Sequence, residues 1–230
     1  TLALSFSLVG GFGSPAAGGL DYPRYWRRSL LTALASRTIG ARIGLPHREE
    51  LFLAGLLQDI GMLVLGAAAP AEYAHVVAGG MEHEVLVAAE RGVFGADHAE
   101  VGAWVLERWG MPEYLVQATR FSHALSGEQL APAGDNVLFC ACTTLAGWLA
   151  EVWLNAPDEP ATARIGQRAQ ALLGLDAAAV AELVDEIGAQ MPETGALFEI
   201  ELPAAAHVAA VLDHAREVLM VRNLQIVQEA

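Results

Sequence analysis

A chain of 230 residues and 24.3 kDa holds one large domain, or one domain with an appendage. With 54% hydrophobic and 17% charged residues it carries too much apolar surface for a disordered chain, and two cysteines cannot build a disulfide framework. A net charge of −14 and a sequence pI near 4.8 set its surface against phosphate backbones and anionic lipid, so neither nucleic acid nor a membrane surface is an expected partner.

Helical periodicity dominates from one end to the other. The chain opens at Thr1 inside an apolar run, 2–9, which reads as the end of a truncated N-terminal helical subdomain (1–10) cut from a longer protein. A Gly/Pro/Ser-rich linker, 10–19, follows; its Gly10, Gly11 and Gly13 have no strand before them and do not read as a nucleotide loop. The expected core domain covers 20–203. Asp21 caps a first helix that runs through Trp26, Leu34 and Ile39 to Gly44, with Pro46 beyond it as a stop. From Pro46 one continuous helix is predicted through 51–65, apolar nearly all round and hence central. Pro70 opens a third helix that Gly79 and Gly80 end. Further helices are expected at 82–91, at 97–109, and from Pro112 to about Ser122.

A polar loop, 126–135, leads into an apolar helix at 136–155, then helices at 161–173 and 176–190. The uncharged stretch 136–150 is shorter than a spanning helix needs, so no membrane insertion is expected. Cys140 and Cys142 point to different faces of that helix as reduced, structural thiols, which fits a cytoplasmic protein without a visible signal peptide. The alternating stretch 197–202 reads as a short strand or an extended connector. A final amphipathic helix, 204–230, carries Val208, Val211, Leu212, Ala215 and Leu219 on one stripe; it either packs back on the core and ends there, or leads toward a further domain and pairs with a second copy. The five tryptophans read as core and interface residues. The fold expected is all-α around a single core.

Asp59 is the charge placed at greatest cost, because the run 51–65 otherwise holds only apolar residues, glycines and Gln58. Its carboxylate either caps a neighbouring helix or pairs with an arginine, or it serves as a metal ligand or general base. His98 reads as a polar residue at a helix start beside Asp97, or as a ligand. His123 reads as a partly exposed residue after a helix, or as a ligand. His47, His75, His83, His207 and His214 sit in no ligand spacing and read as surface residues.

The octapeptide at 54–61, AGLLQDIG, resembles the A-G-L-L-H-D-I-G core of the HD superfamily, helical metal-dependent phosphohydrolases, and most closely its HDOD family of signalling output domains. Tyr25, Trp26, Arg28 and Ser29 resemble that family's F-W-x-H-S segment. Residues 97–112 resemble its D-H-x-x-V-G-x-x-L-L-x-x-W-x-L-P segment, and 120–123 the place of a His-His pair. The resemblance implies a compact multi-helix domain in which a first-segment His and the His-Asp pair would hold a water-activating metal.

Here Arg28 and Gln58 replace two of those ligands and Ser122 replaces another histidine, which leaves Asp59, His98 and His123 as a weak remnant. Arg28 should then neutralise Asp59 bidentately where the metal would sit. The expectations are a degenerate site at Arg28, Gln58, Asp59, His98 and His123, no catalytic residue, no bound metal and no cofactor. The function implied is that of a bacterial pseudo-enzyme: a non-catalytic regulatory module acting on an output domain in the same chain or on a partner signalling protein, in cyclic-di-GMP signalling. The alternative is an HD-type phosphohydrolase with an incomplete metal site.

Overall fold

A computed structural model describes residues 19–78, 83–155 and 159–202, with backbone alone at 84 and 159–163. Every regular element among the described residues is helical. The first, α1 (Tyr22–Arg42), starts where the Asp21 carboxylate accepts from the Arg24 amide, and it ends before Gly44, whose φ of 73° closes the turn. Helices α2 (Arg48–Leu57) and α3 (Ile60–Ala68) follow. The single helix expected over this run is therefore two, broken at Gln58 and Asp59. The unbroken apolar pattern hid the break, because both halves are buried all round.

Next come α4 (Pro70–Val77), α5 (His83–Phe94), α6 (His98–Arg108) and α7 (Glu113–Arg120). The expected loop at 126–135 instead contains a single helical turn, α8 (Gly127–Leu130), and a 3-10 segment, Ala131–Asn136. Helix α9 (Val137–Leu154) is the apolar one, followed by α10 (Glu159–Leu173) and α11 (Ala177–Phe198). Helix α11 passes through Pro192 and outlasts its expected end near 190. The stretch 197–202 is no strand: Phe198 ends the helix, Glu199 turns with φ 55°, and Ile200 to Leu202 run on as a connector. The expected segments 1–10 and 204–230 lie outside the described residues.

Helix α1 is the axis. It packs on α2, α9 and α11, while α3 packs on α6, and α6 on α7. Leu31 and Leu34 of α1, Leu145 and Trp153 of α9, Ile165 of α10 and Ile187 of α11 form one apolar cluster. Leu57 of α2, Leu106 of α6, Leu115 of α7 and Cys140 of α9 form a second. Cys142 faces the first cluster, so the two free thiols do point to different faces, and burial pushes both up to about 12. Residues 48–68 and 127–154 are each long and apolar enough to cross a membrane, which amends the expectation that no run reaches that length. Both are largely covered by the domain's own helices. Among the tryptophans, Trp153 is core, whereas Trp104 and Trp109 are about half exposed.

Two close approaches set the geometry around Asp59. A Cβ on Gly55 would lie 2.6 Å from the Thr32 carbonyl oxygen of α1, and one on Gly61 would overlap the His98 carbonyl oxygen at the start of α6. Glycine at these two positions lets α2 and α3 seat their backbones directly on neighbouring helices. The break between them is thereby held at the centre of the molecule.

Candidate functional site

At that break Asp59 adopts φ −103° and ψ 14° and stands at the N-cap of α3, yet its side chain makes no capping hydrogen bond. The carboxylate is fully buried and turns to the interior. Oδ2 accepts from Nε of Arg28 at 2.7 Å, so the expected ion pair forms, but through one bond rather than the bidentate fork expected, because Nη1 is directed to α9. Arg28, a residue of α1 that is 6% exposed, also donates through Nη1 to the Gly147 carbonyl at 3.1 Å and to the Glu151 carboxylate, both on α9. Gln58 is buried, with Nε2 3.4 Å from Oδ2 of Asp59 and its Oε1 without a partner among the described residues.

The other carboxylate oxygen faces histidines. Oδ1 of Asp59 lies 3.3 Å from Nε2 of His83 and 3.7 Å from Nε2 of His98. Nε2 of His98 lies 2.7 Å from Nε2 of His123, and the three imidazole centroids stand 4.7–4.9 Å apart. His98 is placed by the start of α6. There Asp97 accepts from the Glu100 amide at 2.9 Å, and Glu100 accepts from the Asp97 amide at 3.1 Å, a capping box that Arg91 ties to α5 at 2.8 Å. Behind His98, Glu90 of α5 accepts from its backbone amide at 2.8 Å and bonds its Nδ1 at 2.5 Å, while the Tyr73 hydroxyl donates to Glu90 at 2.9 Å.

The electrostatics follow from burial and neighbours. Burial alone would raise the Asp59 carboxyl, but Arg28, then His83 and His98, hold it well below the usual carboxylate range. Burial would lower the Arg28 guanidinium, and Asp59 and Glu151 more than offset this. Glu151 resists its own burial through Arg28, and Glu90 through its bond to His98, so both are lowered. His98 is raised because Glu90 outweighs burial, whereas burial and then His98 and His83 push His123 well down. His83 is lowered by burial and by Arg28.

All five residues singled out from the sequence converge. The expectation for His83 is corrected: it is 9% exposed and faces Asp59, whereas His47 and His75 are exposed as expected. His207 and His214 lie outside the described residues. Glu90, Tyr73 and Glu151 were not singled out either. A signal was present, since His83, Leu86 and Glu90 fall at spacings of three and four, the buried stripe of α5, with two polar residues at core positions.

The ligand set implied by the HD resemblance does not fit. A guanidinium occupies the Oδ2 side of Asp59, and the amide of Gln58 stands where the paired histidine would be. A different set does converge: one ligand atom from each of Asp59, His83, His98 and His123, all within 4.8 Å of one another.

The HDOD domain family matches residues 1–125, which include every residue of this centre except Gly147 and Glu151. The MmoQ response regulator of Methylococcus capsulatus str. Bath is 31% identical, over 72% of this chain and 62% of its own, with a TM-score of 0.56. This chain therefore spans less than two thirds of that regulator's length. An HDOD domain protein of unknown function from Geobacter sulfurreducens is 20% identical over 84% of this chain and 66% of its own, at a TM-score of 0.61. A candidate phosphohydrolase from Shewanella amazonensis SB2B is 22% identical over 90% and 71%, at 0.66. The last two likenesses show the fold alone. A comparison with curated proteins gives no match.

Proposed function

Because the chain belongs to the HDOD domain family, we propose that it is a non-catalytic signalling module that controls an output domain, carried in the same chain or by a partner signalling protein, in cyclic-di-GMP signalling. One observation carries the non-catalytic part: the Arg28 guanidinium is bonded to Asp59 where an HD-type hydrolase would hold its metal. A fixed cation there neutralises the carboxylate and repels a metal at the same oxygen. The signalling part is supported by the family and by the 31% identity to a response regulator.

A second reading, a metal-dependent phosphohydrolase, is favoured by the convergence of Asp59 with three histidines. The two part on one assay. The full chain is incubated with cyclic-di-GMP and with bis(p-nitrophenyl) phosphate in the presence of Mn²⁺, Fe²⁺ or Zn²⁺. The module reading expects both substrates to remain intact. Turnover that disappears in Asp59→Asn would establish the hydrolase instead.

A further inference from the structure

We propose that α11 carries a detachable strap: its turns after Pro192, with the connector 199–202, seat in a slot between α1 and α2 and leave it when the Arg28–Asp59 pair opens. As a refinement of the signalling reading, on which it rests, the strap is the segment through which the state of the core reaches the chain beyond Leu202.

Helix α11 is held by two different seats. Up to Met191 it belongs to the main apolar cluster, through Leu183 and Ile187. Gln190 also fastens that part to α1, accepting from Arg37 at 3.3 Å and donating to the Thr38 hydroxyl at 3.4 Å. Beyond Pro192 the partners change. Phe198 belongs to a separate cluster with Leu30 and Ala33 of α1 and Phe52 and Leu56 of α2, and its ring stacks on Phe52 at 5.7 Å between centroids. Ile200 and Leu202 pack against the same cluster, Leu202 reaching the main one as well. Pro192 stands between the two seats. It has no amide hydrogen for the Gly188 carbonyl one turn earlier, so the helix is weakest where the clusters part.

The strap is folded back on itself at a cost. Glu199 takes φ 55°, left-handed backbone that a residue with a side chain adopts only under strain. The turn is closed by the Glu199 amide on the Ala196 carbonyl at 3.3 Å and the Ile200 amide on the Gly195 carbonyl at 3.0 Å. Gly195 makes room for it, since a Cβ there would stand 2.8 Å from the Ile200 carbonyl oxygen and 3.2 Å from the Leu202 side chain. Such a turn persists only while its surroundings hold it, and here the surroundings are the slot.

Slot and ion pair are two parts of one helix contact. On α1, Arg28 is followed by Leu30 and Ala33; on α2, Phe52 and Leu56 lead to Asp59 at the break. Between them Gly55 rests on α1, where an added Cβ would meet the Thr32 carbonyl oxygen at 2.6 Å. A shift of α2 against α1 therefore alters slot and pair together. Loss of the Arg28–Asp59 bond releases the end of α2, opens the slot and frees the strap, because close-packed seams rearrange in discrete steps rather than by stretching.

The test reads the exposure of one introduced thiol in the full chain. Thr194→Cys places it on the strap at a position 7% exposed, and the native Cys140 and Cys142, both fully buried, report global unfolding in the same molecule. Reaction with a chromogenic aromatic disulfide is followed under native conditions, and peptide masses identify which cysteine has reacted. Position 194 should react slowly. In that background Phe198→Ala should speed it by more than about 100-fold. Arg28→Met should speed it by roughly 5- to 150-fold, the span of ordinary coupling between sites, while Cys140 and Cys142 stay unreacted. Arg28→Lys keeps a charge at Asp59, folds more readily, and should fall between Arg28→Met and the parent. Glu199→Gly relaxes the turn without touching the core and should slow the reaction by roughly fivefold. Three thiols that react together in every variant, or a rate at 194 that both Arg28 variants leave as in the parent, would overturn the strap while the signalling reading stands. Phosphodiester turnover by the unlabelled chain would overturn that reading instead, with the thiol rates still deciding the strap.

Discussion

Arg28 works by having two directions at once. Its fork reaches Asp59 through Nε and the α9 backbone and Glu151 through Nη1. Arg28→Ala should therefore cost on the order of 3–5 kcal/mol, because it strands a buried carboxylate, and Arg28→Lys should recover only part of that loss since a point charge cannot serve both partners. Denaturant midpoints at constant slope read both effects. The pH dependence has a definite sign. Asp59 and Glu151 are lowered in the folded state, so their stabilisation is present above the unfolded carboxylate values near 4 and is lost as pH falls through the lower folded values. Acid titration of Arg28→Met should show a flatter loss of stability on that limb than the parent. An equally steep limb would mean that the carboxylates do not depend on Arg28. The sequence exposed Asp59 because a lone charge in an apolar run must be compensated, and it exposed Arg28 because that residue stands in a ligand's place. It concealed His83, whose partners come from three other elements, since linear ligand spacing detects only sites built on one segment.

At the scale of elements, the centre depends on how α3 meets α6. Gly61→Ala would drive a methyl group into the His98 carbonyl, and because both sides are backbone the helices must separate. A loss at or above the upper end of the roughly 1–3 kcal/mol typical of overpacking is expected, with His98 displaced. Gly92→Ala on the exposed side of α5 is the matched control. Among the described residues nothing lies within 4 Å of its added carbon, so it should gain about 0.5–1 kcal/mol from helix propensity alone. Thermal unfolding of the pair checks both signs, and a Gly61→Ala variant as stable as the parent would refute the close approach. Helix caps were readable here: Asp21 and Pro112 mark starts that the structure keeps, and Asp97 closes a capping box. The break at Gln58 and Asp59 was not, because residues on both sides of it are buried on every face and no change of period or turn residue announces it.

For the whole molecule, the all-helical architecture was legible because 3.6-residue periodicity runs through the chain, and membership of the HDOD family because several separated segments keep their order. Which side chains meet at the centre was not legible in that way, since their meeting depends on α1, α3, α5, α6 and α9 packing together. That dependence makes global unfolding the readout of the central claim, that Asp59 is compensated by a built-in cation rather than by a hydrolytic metal. The measurement is a double-mutant cycle of Arg28→Met and Asp59→Asn in metal-free protein, followed by equilibrium unfolding. The account predicts strong coupling, near the top of the range of about 0.5–3 kcal/mol found for contacting residues, with the double variant more stable than Arg28→Met alone. Additive losses, with Asp59→Asn unable to relieve Arg28→Met, would contradict it.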